Sequence, residues 1–194
     1  MKKIILLSIT LISFSLYSYS QWGIKAGING STLTGSVNPS YLISGHIGAT
    51  YDVHLSGNWH FQPELLFTTV GERIKDDGIT MKDSYLKIYA MEAPLNFSYR
   101  PTIGNNTRLL FDFGLYMRFG LFGNRVYKYY NSPTIDNSPF DSYNRFDTGL
   151  NLGLGLEKKQ YYGLLSLQRG LSYGDKNDNY HVVYRLSFGY RFKN

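Results

Sequence analysis

Histidine is scarce in this chain: His46, His54, His60 and His181 are its only imidazoles, and any acid–base or metal chemistry would begin with them. Ser44, His46 and Asp52 share one parity, so an extended strand would hold all three on one face. A serine, a histidine and an acid are what a lipid-acyl hydrolase needs, the imidazole activating the hydroxyl and the carboxylate orienting the imidazole. That face is polar, however, and is expected to point away from lipid. A lipid A-modifying acyl hydrolase is therefore the minor alternative. His54 and His60 flank a reversal at Ser56-Gly57-Asn58, and two histidines on a turn do not make a metal centre without further ligands. With no cysteine there is neither a thiolate site nor a disulfide, nor a lipid anchor on an N-terminal Cys. The glycines of Gly149–Gly155 lack the lysine and the helix of a phosphate loop. No catalytic, metal or cofactor residue is assigned, no cofactor is implied, and the chain is expected not to be an enzyme.

The elements that hold these residues follow from a period of two. In Tyr180–Phe192, apolar and aromatic side chains occupy every second position, with His181, Arg185, Ser187, Gly189 and Arg191 among those between them. This is one strand with an apolar face and a charged face. The same alternation recurs from Trp22, Tyr41, Trp59, Tyr85, Arg108, Phe146 and Tyr161. In Leu109–Leu121 the odd positions are all large and apolar. Eight strands are predicted, alternately joined by short connections and by longer ones. The long ones are Gly71–Ser84 and about 123–144. Pro63 and Pro94 fall inside strands, where each removes a ladder donor, and bulges are expected at both.

Aromatics gather at the ends of the apolar faces and aliphatics lie between. Two aromatic girdles around a hydrocarbon belt have a reason in lipid and none in a ligand pocket. A soluble, lipocalin-like ligand binder is accordingly the weaker reading. A strand alone cannot cross lipid, because its backbone groups would go unpaired; a closed ring of strands can. The fold class is all-β: an eight-stranded antiparallel up-and-down transmembrane β-barrel with short periplasmic turns and longer external loops.

At the N-terminus, Lys2-Lys3, the apolar run Ile4–Leu16 and Ser18-Tyr19-Ser20 have the form of a Sec signal peptide cleaved after Ser20. Residues 1–20 are then the leader and 21–194 the barrel domain, exported to the outer membrane of a Gram-negative envelope. Outer-membrane lipids and, during insertion, the barrel-assembly machinery are its expected partners. The net charge of +6 is too small and dispersed to argue for nucleic acid.

The polar faces interleave glycine with charge. Glu92, Arg108, Asp112, Arg118, Arg145, Asp147, Glu157 and Arg185, with Asp52 and Glu64 beside them, are predicted to form a charge network filling a narrow lumen. Arg118 is expected level with Arg145 and Asp147, Arg108 with Glu157, and Asp112 opposite Glu92. Outside, Arg125, Tyr127, Tyr129, Tyr130 and Tyr143 of the longest loop are candidates to contact a protein or glycan, since tyrosine gives contact area at low entropic cost. An interfacial anchoring role fits the same tyrosines.

Several stretches resemble the PorT-like outer-membrane β-barrel domain family: Gly23–Asn29, Pro63-Glu64-Leu65-Leu66, Ala93–Tyr99, Phe146–Gly155 and Arg169-Gly170-Leu171. Ala93 stands where that family tends to place a bulkier aliphatic. The resemblance implies a small eight-stranded outer-membrane barrel, and with no chemistry assigned to the residues a structural or binding role is what remains for it. As an alternative it implies an accessory component of a protein secretion apparatus.

Overall fold

The computed structural model describes residues 20–34, 39–76, 78–79, 81–141, 143–171 and 179–192. Eight long strands carry the architecture: β1 (Ser20–Leu33), β2 (Leu42–Ser56), β3 (Trp59–Ile74), β4 (Met81–Tyr99), β5 (Thr107–Tyr129), β6 (Phe146–Lys158), β7 (Tyr161–Gly170) and β8 (His181–Arg191). Each pairs antiparallel with the next, and β8 pairs with β1, so the hydrogen-bond ladder closes on itself. A ladder path leaving β1 at Ser20 passes through Val53, Phe61, Phe97, Phe113, Leu152, Leu167 and Tyr184. It re-enters β1 at Gly30, a stagger of ten residues that tilts every strand against the barrel axis.

Period-two patterning sorts the side chains. The outward set is apolar yet uncovered by protein: Ile43 is 70% exposed, Leu165 62% and Phe188 65%, which in water would be a severe liability and in hydrocarbon is the requirement. Its aromatics form two belts. At the inner end Trp22 packs on Tyr51 (ring centroids 4.8 Å apart), Trp59 on Tyr99 (4.9 Å), Phe61 on Phe97 (5.2 Å) and Tyr161 on Tyr190 (5.1 Å). At the outer end Tyr89 stacks on Phe122 (4.9 Å), Tyr41 meets Tyr184 (5.8 Å), and Phe119 lies beside Phe146 in the ladder. No helix of the described residues is long and apolar enough to cross a membrane.

The structure departs from the sequence reading in three places. The expected bulges at Pro63 and Pro94 do not occur: the β3–β4 register is the same on both sides of Pro63, and the β4–β5 register is the same on both sides of Pro94. The register shifts lie instead at His54/Ser56, Lys82/Tyr85 and Tyr89/Ala90. The stretch Gly71–Ser84 is mostly strand, because β3 runs to Ile74 and β4 starts at Met81. The longest loop is also shorter than read. β5 continues to Tyr129, and Ile135–Asn137 turns back to pair with Arg125–Tyr127. The predicted leader lies outside the described residues, Ser20 apart.

Inner turns are tight. Gly57 (φ 58°) and Lys159 (φ 59°) take the left-handed conformation that two-residue reversals require.

Candidate functional site: a filled lumen under a capped mouth

The inward side chains form three layers. At the floor, the end of the short turns, Arg100, beyond the end of β4, donates through Nη1 to Asp52 (2.7 Å), through Nη2 to Gln62 (2.8 Å) and through Nε to Ser98 (2.8 Å). Arg191 of β8 donates to the same Gln62 oxygen (2.8 Å) and pairs with Glu157, whose other oxygen takes Arg108. Above them Lys25 Nζ reaches both oxygens of Glu64 (3.0 and 2.8 Å), and the Ser98 hydroxyl donates to Asp112 at 2.5 Å.

The middle layer turns on Glu92. It accepts from Arg118 Nε (2.8 Å), from Arg185 Nη1 (2.6 Å) and Nη2 (2.8 Å), and from Gln168 Nε2 (2.8 Å). Arg118 also donates to Asp147 (2.8 Å) and to Gln168 Oε1 (2.8 Å), while the Tyr116 hydroxyl donates to Asp147 at 3.1 Å. All of these groups are buried, and charges in such surroundings persist because each meets an opposite charge through hydrogen bonds. Glycine makes the space. Gly149 could not carry a Cβ, which would stand 2.7 Å from the Tyr116 ring, and at Gly189 a Cβ would run into Tyr162.

The outer layer is apolar. Leu33, Val70, Leu86, Ile88 and Val183 form one buried cluster, and Tyr143 closes it from above with Phe140 packed alongside. The short 3-10 turn Pro139–Asp141 positions these rings, Tyr143 N–H donating to the Pro139 carbonyl at 2.9 Å. The Tyr143 hydroxyl points to Glu72 at 3.5 Å, the long limit of a hydrogen bond. Two guanidiniums stack on the cap: Arg125 on Tyr143 (5.2 Å) and Arg145 on Phe140 (3.8 Å).

The sequence-derived residues distribute as follows. Glu92, Arg118, Asp147 and Arg185 come together in the middle layer, and Arg108 with Glu157 at the floor. Asp112 does not face Glu92; the ladder sets it opposite Ser98, and Glu92 opposite Arg118. Arg145 is corrected outright. It precedes β6 and lies outside the lumen, donating to the Gly120 (3.2 Å) and Leu121 (3.0 Å) carbonyls. Tyr143 is likewise no external contact residue, since its ring is the lid of the apolar cluster. Tyr127 and Tyr129 are half-buried, while Tyr130 is exposed and donates to Asp76 at 2.6 Å. Arg125 bonds the Tyr127 hydroxyl. Lys25, Arg100 and Arg191 belong to the network although no site reading named them. The polar parity running through Asn96 and Ser98 to Arg100 was the available signal.

The serine–histidine–acid set does not assemble. His46 Nδ1 meets Asn29 Oδ1 (2.7 Å) and its Nε2 meets Ser187 (3.0 Å), Ser44 donates to the Thr69 carbonyl (2.6 Å), and Asp52 holds Arg100. His54 and His60 sit with ring centroids 5.0 Å apart, but His60 faces Asp52 and His54 the Gly57 carbonyl. Among the described residues no group of three or more His, Cys, Asp or Glu could hold a metal ion.

Known proteins extend this picture. The family described as outer membrane protein beta-barrel domain matches residues 13–174. Among solved structures, Neisserial surface protein A is similar over 88% of this chain and 97% of its own, with a TM-score of 0.50 and 8% identity. The attachment invasion locus protein Ail of Yersinia pestis covers 90% of this chain and 99% of its own at 18% identity and a TM-score of 0.46. A major outer membrane protein of Thermus thermophilus covers 89% and 99% at 14% identity and a TM-score of 0.49. No curated protein matches the chain.

Proposed function

Because the chain belongs to the outer membrane protein beta-barrel domain family and lies in the outer membrane, we propose that it is a non-catalytic barrel of binding type. Its lumen is a structural filling and its contacts are made by the sheet raised above the outer girdle. The observation that carries this is the contrast between interior and exterior. Ion pairs and a capped apolar cluster occupy the interior. Outside, β4 and β5 stay paired from Tyr89 and Phe122 up to Met81 and Tyr129. This extension carries Tyr130, Lys82 and Lys128 in the open, with Lys82 Nζ 4.9 Å from the Tyr130 ring centre. Such aromatic and cationic side chains on a rigid sheet suit a protein or glycan at the cell surface.

The test is binding of nanodisc-held barrel to glycan and surface-protein arrays, comparing wild type with Tyr127→Ala/Lys128→Ala/Tyr130→Ala. Binding lost in a variant that still shows the heat-dependent gel mobility of a folded barrel supports the reading. Binding unchanged by the triple substitution, or steady ohmic conductance of porin size in a planar bilayer, would overturn it.

The finer resemblance to PorT-like barrels, with a place in a secretion apparatus, rests on the strand motifs alone. Intact complexes co-purified from membranes would be needed to raise it above the binding role. Insertion by the barrel-assembly machinery and removal of residues 1–20 belong to the same proposal, and a mature mass beginning at Gln21 would support the latter.

A further inference from the structure

Arg169 sets a cation on the lipid-facing wall at the outer girdle. It is on the outward, lipid-facing side of β7, in series with Leu165, Leu167 and Leu171, all exposed. Its ladder neighbours are Leu150 of β6 and Val182 of β8. Leu150 lies two outward positions below Phe146 of the outer girdle, while Tyr184 of the same girdle pairs with Leu167, one outward position below Arg169, so Arg169 stands at the level of that girdle. The other outward arginines near this rim have protein partners: Arg73 pairs with Asp83 at 2.5 Å and Arg145 holds two carbonyls. Among the described residues no hydrogen bond or ion pair engages the Arg169 guanidinium. An ionisable group in a membrane wall is rare and costs free energy unless something meets it, which makes it a mark of function.

Directly below it the wall is indented. A groove of about 590 Å³ crosses β6, β7, β8, β1 and β2, lined by Leu152, Leu154, Leu167, Leu186, Ile28 and Ile43, with Gly30 at its upper part. Leu167 is the outward residue next to Arg169, so the guanidinium stands at the outer end of an apolar channel that runs toward the bilayer centre.

We propose that Arg169 and this groove form a site for one phosphorylated lipid of the outer leaflet, the phosphate on the guanidinium and an acyl chain along Leu167, Leu186 and Leu152. The occupant follows from the two halves. The site lies within the membrane belt, its groove is lined mostly by aliphatic side chains with the outward Tyr184 as the polar group at its upper part, and the Arg169 guanidinium above it is a planar cation that binds phosphate oxygens in pairs. Basic positions at headgroup level are how barrel and helix surfaces select anionic lipids.

The test uses purified barrel in detergent, titrated with dioleoyl phosphatidylglycerol as the phosphorylated probe and dioleoylglycerol as the same tails without phosphate. Bound lipid is counted by native mass spectrometry. The wild type should retain one phosphatidylglycerol tightly. Arg169→Gln should bind it about tenfold more weakly, the loss of one charge-assisted contact, and should equalise the two probes. Leu167→Trp, which fills the groove and leaves the cation, should weaken phosphatidylglycerol as well. Inorganic phosphate in excess should not displace the lipid. Equal retention by wild type and Arg169→Gln would overturn the site, and displacement by phosphate alone would overturn the role of the groove. Gel mobility of each variant separates lost binding from lost folding.

Discussion

The middle of the lumen and its outer mouth are both buried inside the same ring of strands, yet they are held together by opposite means. Around Glu92 every contact is directional and charged, so each group is held because others would be stranded without it. Around Val70 and Val183 the cluster's own contacts are apolar, and it is covered by two rings delivered from a loop. A charge network needs complete membership, whereas an apolar cluster needs a cover. The difference predicts distinct responses to damage.

The largest effect is expected in the middle layer. Arg118→Met removes a cationic partner from both Asp147 and Glu92, and should cost about 3–5 kcal/mol because buried carboxylates lose paired charge. Adding Asp147→Leu should recover part of that loss, since replacing both members of a buried pair is far milder than removing one. Urea unfolding in liposomes, followed by tryptophan emission, measures both. If the double variant is no more stable than the single one, the network is not the unit described above.

In the mouth the corresponding single change, Leu86→Ala, only opens a cavity, at about 2–4 kcal/mol, with nothing left charged and unpaired. Tyr143→Ala removes the cover instead of the contents. It should cost less, about 1–2 kcal/mol, because water can enter from outside and part of the surface stays buried. Its sharper readout is conductance. The floor and middle layers remain closed in this variant, so a planar bilayer should show no steady current in the wild type or in Tyr143→Ala. Current in Tyr143→Ala alone would move the seal from the ion pairs to the lid and break the comparison.

How legible each region was follows from the same physics. Strand alternation reports only which side a residue faces, and this was enough for the two-sided wall, the girdles and the pairs Arg108–Glu157 and Arg118–Asp147. It does not report where a lumen residue points once inside. Nor does it fix register, which sets Asp112 opposite Ser98 rather than Glu92, and Arg191 and Arg100 converge on Gln62 from strands far apart in the ring. The mouth was the least readable part. Leu33, Val70, Leu86 and Val183 look like scattered apolar residues at strand ends. Their cover comes from a loop whose tyrosines read equally well as anchors or contacts. Arg145 fails for the same reason: its parity is that of the lumen, but it stands one residue before β6 begins, where parity no longer binds it.

The smallest effect belongs to the raised sheet outside the membrane, where Arg73 clasps Asp83 across β3 and β4 in full contact with water. The Arg73 guanidinium, and then the Asp76 N–H at 3.2 Å, hold the Asp83 carboxyl below the usual aspartate range. A carboxyl so lowered binds its proton less readily in the folded sheet than in an opened one. Its contribution is therefore complete above the ordinary aspartate range and fades as pH falls through the lowered value. Both partners are exposed, so solvent screening keeps this contribution slight, and the barrel's global unfolding should not register it. Hydrogen exchange at the Asp76 amide, corrected for its intrinsic rate, reads it locally. Protection should be flat from neutral pH to the ordinary aspartate range and fall below it, and Asp83→Asn should remove that step. Loss of protection as pH rises would reverse the sign and detach this corner from the Arg73 clasp. A step in global stability of the size expected for Arg118→Met would mean that the raised sheet and the lumen are one cooperative unit.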